Sequence, residues 1–491
     1  MPGLGSLPRL IAFSRDTIST AGRLFERYGP LAQIVRAPAR IVSPSGVAVV
    51  LANGPELNRE VLTAHDRYHM YALPGVFYAD EEALQKARSK RRLGQPDEDR
   101  LLPVKRTLTG LFHVNGDEHR RHRRLLMPAF HKGRIDAYRD DMVEIVNDQL
   151  RTFRADETRD VLADMTEITL RIATKTLFGE DAGDNGMVLA RMMQSWLVTM
   201  FSPGMFLRFD LGPTPYRRWL DLTREIDGRT VDIVRRKRAR MKDLAKDGEV
   251  GRDMLSMLVA ARDEDGSTLD EDELVGHTGV IFAAGHETST NALAWTLMLL
   301  AMHPTIAEEL VGELRSVLHG DAPTVEQLGK LPFLDAVVKE SMRVLPPVPL
   351  HPRVVAEDHE LGGHFMPKNT ELFLSIFHMH HDPAIFPRPR SFDPKRWSTI
   401  KPTTFEYNPF SAGPRMCIGA SFAMMEIKIV LAILLQQVRF ELLPGDKINR
   451  RVAITMAPRD GLRMTIRKTG SWSRGPRDLT GNIRELVELP S

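Results

Sequence analysis

The chain holds a single cysteine among its 491 residues, and it lies in Phe410-Ser411-Ala412-Gly413-Pro414-Arg415-Met416-Cys417-Ile418-Gly419. One cysteine can neither close an internal disulfide nor build a cysteine-rich zinc site. Any chemistry at Cys417 therefore uses one thiolate, as a nucleophile, a redox centre or an axial metal ligand; the ordinary alternative is a buried, inert thiol. The setting favours the axial ligand. Gly413 and Gly419 flank the cysteine, Arg415 precedes it by two residues, and a long apolar stretch follows. That pattern describes a backbone that turns tightly, approaches something flat and bulky, and places a positive charge beside it.

A second chemical cluster interrupts an otherwise apolar run: Ala284-Gly285-His286-Glu287-Thr288-Ser289. An unpaired carboxylate and hydroxyl are costly to bury, so Glu287 and Thr288 need partners or a task. Gly285 weakens a helix locally, and Thr288 can bond back to a carbonyl a turn earlier, which opens a groove. A polar packing network is the competing reading. Glu340 and Arg343 stand at i and i+3 on one helix face, which read alone is a surface ion pair worth under ~1 kcal/mol. His119 and Arg123 stand one turn apart in the basic run Gly116 to Arg124. Arg353 precedes a strand pair that turns at Gly362-Gly363. His378, His380 and His381 lack an accompanying thiolate or carboxylate set, which argues against zinc.

The elements that must position these residues are mainly helical. Helical periodicity dominates from about 132 to 345, with strand-like pieces near 32–50, 350–378 and 437–466. This is the α+β layering of one large unit, mainly α with small β-sheets. Thr268-Leu269-Asp270-Glu271 reads as a capping box opening a helix that His303-Pro304 stops after Met302. Such a helix spans about 50 Å. A second long helix runs from about Ser421 to Gln437, with Cys417 at its mouth. No Pro/Gly/Ser linker divides the chain, so residues 1–466 form one domain and 467–491 a tail that either docks back or stays partly disordered. The charged segment 80–106 reads as a solvated surface loop. Composition is ordinary for a globular chain, 42% hydrophobic and 27% charged, and a net charge of +3 is too slight to imply nucleic acid. The start lacks the order of a signal peptide. No uncharged run reaches the ~20 residues of a membrane span, and 274–302 carries His277, His286, Glu287 and Asn291 in its middle. The expected location is therefore the cytoplasm.

The cysteine loop matches the haem-ligand pattern Phe-x-x-Gly-x-Arg-x-Cys-x-Gly of the cytochrome P450 family at every specified position, and the chain resembles that family over residues ~10 to 467. The resemblance implies the triangular, mainly helical haem-thiolate fold around one haem b. It makes Cys417 the axial iron ligand, with Phe410, Gly413, Gly419 and Ala284 against the haem. Arg415, Arg353, His119 and Arg123 become donors to its propionates. Glu287 and Thr288 match the family's acid–alcohol pair, which relays protons to bound dioxygen. Glu340, Arg343 and Arg396 match its buried charge network; Lys395 and Trp397 replace the acidic residue and phenylalanine usual beside that last arginine. The implied reaction is monooxygenation: two electrons and two protons reduce O2, one oxygen enters the substrate and one leaves as water. No flavin or iron–sulfur segment is present, so electrons come from a ferredoxin or flavodoxin with its reductase. Arg120, Arg121 and Arg124 offer an acidic donor a docking face on the cysteine side; a solvated basic face is the plainer reading. Candidate pocket residues are Val280, Ala283, Val348, Leu350 and Met456. With the largely apolar Met192 to Leu211, they favour a lipophilic guest such as a fatty acid, terpenoid, steroid or polyketide. A peroxide-driven peroxygenase or isomerase is the nearest alternative, and a non-catalytic haem sensor a more distant one.

Overall fold

The computed structural model describes residues 7–35, 48–70, 98–107, 109–179, 183–200, 212–244, 251–468 and 478–489, with a few isolated residues between them. Residues 80–97 of the expected charged loop, part of the 32–50 strand region, and residues 201–209 and 211 of the apolar stretch Met192 to Leu211 lie outside these residues. The chain divides into two compact units interleaved in sequence: residues 1–69, 135–169 and 287–491 form one, and 70–134 with 170–286 the other.

The first unit carries every described strand: β1 (Leu31–Val35), β2 (Val49–Ala52), β3 (Tyr68–His69), β4 (Thr158–Asp160), β5 (Leu350–Val355), β6 (His359–Leu361), β7 (His364–Met366), β8 (Glu371–Ser375), β9 (Arg439–Leu442), β10 (Arg450–Val452), β11 (Met456–Pro458) and β12 (Arg463–Arg467). Five of them form one sheet in the order β1-β2-β8-β5-β3, with β2 and β8 parallel and the other pairs antiparallel. Alternation along β2 shows why both faces are covered. Val50 and Ala52 enter a core with Leu372, Leu374 and Val355, whereas Val49 and Leu51 enter another with Ala21, Leu24 and Ile34. The helix Arg139–Arg151 packs on the terminal helix Ala420–Gln437. That terminal helix is long and apolar enough to cross a membrane by length and composition, but most of it is buried inside the fold.

The tail docks back on the first unit. Leu479, Ile483, Leu486 and Val487 are buried, Glu488 bridges to Ser391, and Thr480 bridges to Lys447. Arg450 on β10 fastens this segment by donating to the Asn482 carbonyl at 2.9 Å and to Glu485 at 3.2 Å, while also gripping Asp16 at 2.8 Å.

The second unit is helical among its described residues. Trp219 stacks on Trp196 and Tyr216 at its centre, and Trp196 Nε1 donates to Thr223 Oγ1 at 2.7 Å. Residues 98–107, the end of the expected charged loop, form a helix instead, because Arg106 reaches Asp272 at 2.7 Å and Asp227 at 3.0 Å. Gly276 and Gly110 let two backbones touch: a Cβ on Gly276 would strike Thr109 and the Gly110 nitrogen.

The central helix Glu271–Met302 belongs to both units, the boundary falling between His286 and Glu287. Its cap differs from the expected one. Asp270, not Thr268, accepts from the Glu273 backbone at 2.7 Å, and Glu273 Oε2 accepts from the Asp270 backbone at 2.8 Å. The Thr268 carbonyl is taken by Arg121, so the box forms two residues later. The helix is also continuous through Gly285, which the sequence marks as a local weak point. No atom lies within 4 Å of a Cβ placed there, so this glycine leaves space beside the helix without interrupting it.

Candidate functional site

The cysteine loop is shaped by its own backbone. Ser411 and Gly413 take positive φ of 62° and 69°. The Cys417 N–H donates to the Phe410 carbonyl at 2.9 Å, and the Met416 N–H to that of Gly413 at 3.0 Å. At Gly413 a side chain fails twice: its φ disfavours any Cβ, and that Cβ would run into the Leu62 carbonyl. The loop therefore closes tightly under the helix Pro55–Thr63 and leaves Cys417 exposed, with Met416 beside it. Gly419 ends the loop and caps the terminal helix, whose first residue is Ala420. A thiolate three residues before that N-terminus gains from the helix dipole and the unpaired N–H groups there.

Arg353 sits on β5, 3% exposed, and among the described residues its side chain donates only to the carbonyl of its neighbour Pro352, at 2.7 Å. Burial alone pushes its pKa down to about 10, with no carboxylate among the described residues near enough to offset it. A buried guanidinium in this state needs an anion. Two residues away, burial and then Arg353 push the His351 imidazole down to about 3, and its Nδ1 has no hydrogen-bond partner. Arg415 is buried too, close enough to His69 on β3 to help burial lower that imidazole's pKa. His69 gave no sequence signal, because its arginine neighbour is brought beside it only by the fold, and His351, two residues from Arg353, gains meaning only once that strand is buried.

Behind the loop, Glu340 is a hub rather than a surface partner. Arg343 Nη2 and Nε reach its two oxygens at 2.8 and 3.0 Å, Arg396 Nε donates at 2.8 Å, and the Asp393 N–H at 3.0 Å. Trp397 Nε1 adds a donor at 3.1 Å, so the tryptophan in this chain does something phenylalanine cannot. Glu340 and Arg343 are wholly buried. Arg343 and Arg396 also satisfy the carbonyls of His380, Pro387, Pro389 and Ser391, which locks the segment leading to the cysteine loop. The three histidines nearby have separate jobs: His378 bonds Ser375, His380 accepts from Asn408, and His381 donates to the Phe377 carbonyl.

The central helix is buried from Leu274 to Thr278 and from Ser289 to Met302. Between these stretches, Gly279 to Thr288 are half-exposed except for Phe282 and His286. Val280, Ala283, Ala284, Glu287 and Thr288 thus lie on the open third of an otherwise closed helix. Glu287 accepts a hydrogen bond from Thr455 Oγ1 at 2.7 Å. One residue past Thr288, Ser289 is the polar neighbour of Glu426 on the terminal helix. Burial pushes the Glu426 carboxyl up to about 8, Ser289 countering only in part, and neither of its oxygens has a hydrogen-bond partner within bonding geometry among the described residues. Val348 and Leu350 are half-exposed. Met456 is wholly buried, and it is the backbone at this position that bonds, its carbonyl accepting from Trp295 Nε1 at 2.9 Å.

In the second unit, His119 is buried and Arg123 half-buried on the helix Gly116–Leu126. The remaining arginines of this helix are charge-compensated, contrary to the net basic face the sequence suggests. Arg120 pairs with Asp117, Arg121 with Glu273 at 2.8 Å, and Arg124 grips Asp263 with two bonds of 3.0 Å. Glu273 also bonds His122 at 2.9 Å, and His122 bonds His277 at 3.2 Å, a buried chain that the sequence did not reveal.

These residues fit a haem: an exposed thiol on a rigid glycine loop at a helix N-terminus, and a buried arginine lacking a counter-anion among the described residues. The comparisons agree. The family model described as cytochrome P450 matches residues 59–461. Cyclooctatin synthase from Streptomyces melanosporofaciens is 31% identical over 436 residues, covering 84% of this chain and 92% of that protein. Leukotriene-B4 omega-hydroxylase 3 of Mus musculus is 33% identical over 378 residues, 70% of each chain. The structure of retinoic acid bound cyanobacterial CYP120A1 superposes with a TM-score of 0.78 at 25% identity, covering 94% of this chain and 96% of that one. On the glycine-framed cysteine loop, the fold and these relatives together, this chain belongs to the cytochrome P450 family and is a haem-thiolate monooxygenase.

Proposed function

We propose that this chain hydroxylates or epoxidises a lipophilic small molecule, with terpenoids and fatty acids as the first classes to test, using O2 and electrons from a separate ferredoxin or flavodoxin and its reductase. The observation that carries the reading is the exposed Cys417 on its locked loop together with Arg353, buried without an anion. Cys417 is the iron ligand, Arg353 and Arg415 hold propionates, and the family pattern adds His119 and Arg123. Phe410, Gly413, Gly419 and Ala284 are the haem's neighbours in this reading. Bound haem supplies the redox chemistry that cleaves the O–O bond, favoured by thiolate ligation. The chain's own part is to present the Cys417 sulfur before a helix N-terminus, whose dipole favours negative charge there, and to carry protons on Glu287 and Thr288. The candidate pocket residues Val280, Ala283, Val348, Leu350 and Met456 are all apolar and offer a substrate little to hydrogen-bond.

The relatives support the substrate class. By name they act on or bind cyclooctat-9-en-7-ol, leukotriene B4 and retinoic acid, all mostly hydrocarbon. Because Arg120, Arg121 and Arg124 are paired, a redox partner would dock here by shape more than by net charge, and added salt would weaken the complex only modestly.

The test is the spectrum of the reduced protein with carbon monoxide. A strongly red-shifted Soret band that Cys417→Ala abolishes and Thr288→Ala retains supports the assignment; an unshifted band in the native protein overturns thiolate ligation. Arg353→Leu should retain the band position while lowering haem affinity at least about tenfold, the loss expected when one charge-assisted contact is removed. A spin-shift screen of terpenoids and fatty acids then identifies the substrate.

A further inference from the structure

We propose that Thr455, on the turn between β10 and β11, is the positioning residue for Glu287, fixing the carboxylate that the central helix presents beside Thr288. This rests on the reading of Glu287 as a proton carrier. Thr455 is buried, 6% exposed, and its hydroxyl donates to Glu287 Oε1 at 2.7 Å. Among the described residues it is the sole side-chain hydrogen-bond partner of that carboxylate. A glutamate on a half-open helix surface otherwise samples several rotamers. One short bond from a rigid donor selects among them and leaves Oε2 to take and pass a proton.

The donor is rigid because its turn is held on three sides. The Ala453 N–H donates to the Thr455 carbonyl at 3.0 Å within the turn. The Met456 N–H donates to the Pro347 carbonyl at 2.8 Å, and the Met456 carbonyl accepts from Trp295, about two helical turns beyond Glu287. The base of the hairpin is fastened by Arg450 to Asp16 and to the tail residues Asn482 and Glu485. The Ile448 N–H donates to the Thr480 carbonyl at 2.9 Å. Those tail residues lie beyond the span 59–461 that matches the family. The proton carrier is thus aligned by an element distant in sequence, whose support includes a segment outside the matched region. A site held this way keeps its geometry through packing of the supporting shell.

Three variants of the haem-loaded protein test this: Thr455→Val, which keeps shape and removes the donor, Thr455→Ser, which keeps the donor, and Glu287→Gln. The first readout is the infrared stretch of carbon monoxide on the reduced protein, which senses nearby dipoles and needs neither substrate nor turnover. The second is peroxide released per dioxygen consumed with a plant-type ferredoxin and its reductase. We expect Thr455→Val to shift or broaden the infrared band as Glu287→Gln does, with Thr455→Ser restoring it. Peroxide release should rise about 2- to 10-fold in Thr455→Val, the range corresponding to one lost hydrogen bond. If Glu287→Gln moves both readouts and Thr455→Val moves neither, the positioning role is wrong while the proton-carrier reading stands. If Glu287→Gln moves neither, both are overturned. A Thr455→Ser protein that behaves like Thr455→Val also overturns the assignment, because the hydroxyl is then not what matters.

Discussion

Replacing Glu426 with glutamine should change how stability depends on pH, and the structure sets the size of the effect. Glu426 is 1% exposed on the terminal helix, with no hydrogen-bond partner on either oxygen and Ser289 as its polar neighbour. Burial raises its carboxyl from an ordinary 4.5 to about 8. The folded state therefore keeps the proton through a range in which the unfolded chain has lost it. Below pH 4.5 both states are protonated, stability does not change with pH through this group, and its contribution is fully present. Between pH 4.5 and 8 the unfolded state ionises alone, so the stability contributed by the protonated acid is progressively lost as pH rises. At about 1.4 kcal/mol per pH unit the whole window is worth about 5 kcal/mol at most. Water entering the folded protein reduces that figure, and about 2 kcal/mol across pH 5.5 to 8 is a practical expectation. Glutamine has nearly the same shape and does not titrate, so Glu426→Gln should lose this slope while carrying a constant offset for its buried amide. The assay is urea denaturation of the haem-loaded protein from pH 5.5 to 8. The stability difference between variant and parent should drift in favour of glutamine as pH rises. Parallel curves across that range would show that Glu426 ionises as freely in the folded protein as in the unfolded chain, and the reasoning from burial would be wrong.

Two further substitutions, with an exposed ion pair as the control, probe the cysteine loop and its support. Arg396→Met should destabilise by about 3–5 kcal/mol, because it removes one charge from a wholly buried Glu340 that keeps its desolvation cost; Arg120→Ala, which breaks an exposed pair with Asp117, should cost under about 1 kcal/mol in the same denaturation assay. Gly413→Ala should cost about 2–4 kcal/mol and lower haem retention on gel filtration, since it combines a positive φ with a clash against the Leu62 carbonyl. Retention equal to the parent would mean that the loop can shift without penalty.

The legible parts of this protein were those written over a few neighbouring residues. The cysteine loop needs glycine where φ is positive and where the Leu62 backbone approaches, so its spacing appears directly in the chain. Glu340 and Arg343 share a helix face by i,i+3 geometry, and the long apolar run around Glu287 must be a buried helix whatever packs on it. Details of capping were misread by two residues because Arg121, far away in sequence, takes the Thr268 carbonyl and leaves Asp270 to close the box. Gly285 was legible only in part for a related reason: the chain marks a weak point in the helix, but the open space beside it depends on what packs there.

The sequence by itself determined the family, the haem-thiolate chemistry and the mainly helical fold with small sheets. Each of these rests on short-range stereochemistry or on a motif with fixed spacing. Only the tertiary structure decided how charge is compensated. It brought Asp263 and Glu273 onto the arginines of a helix that looked basic, left Arg353 without an acid, and buried Glu426 opposite Ser289. It also set Thr455 on Glu287 and laid the tail across the hairpin that carries Thr455. Electrostatic free energy depends on distance and on exclusion of water, and neither is known until residues more than a hundred positions apart have met.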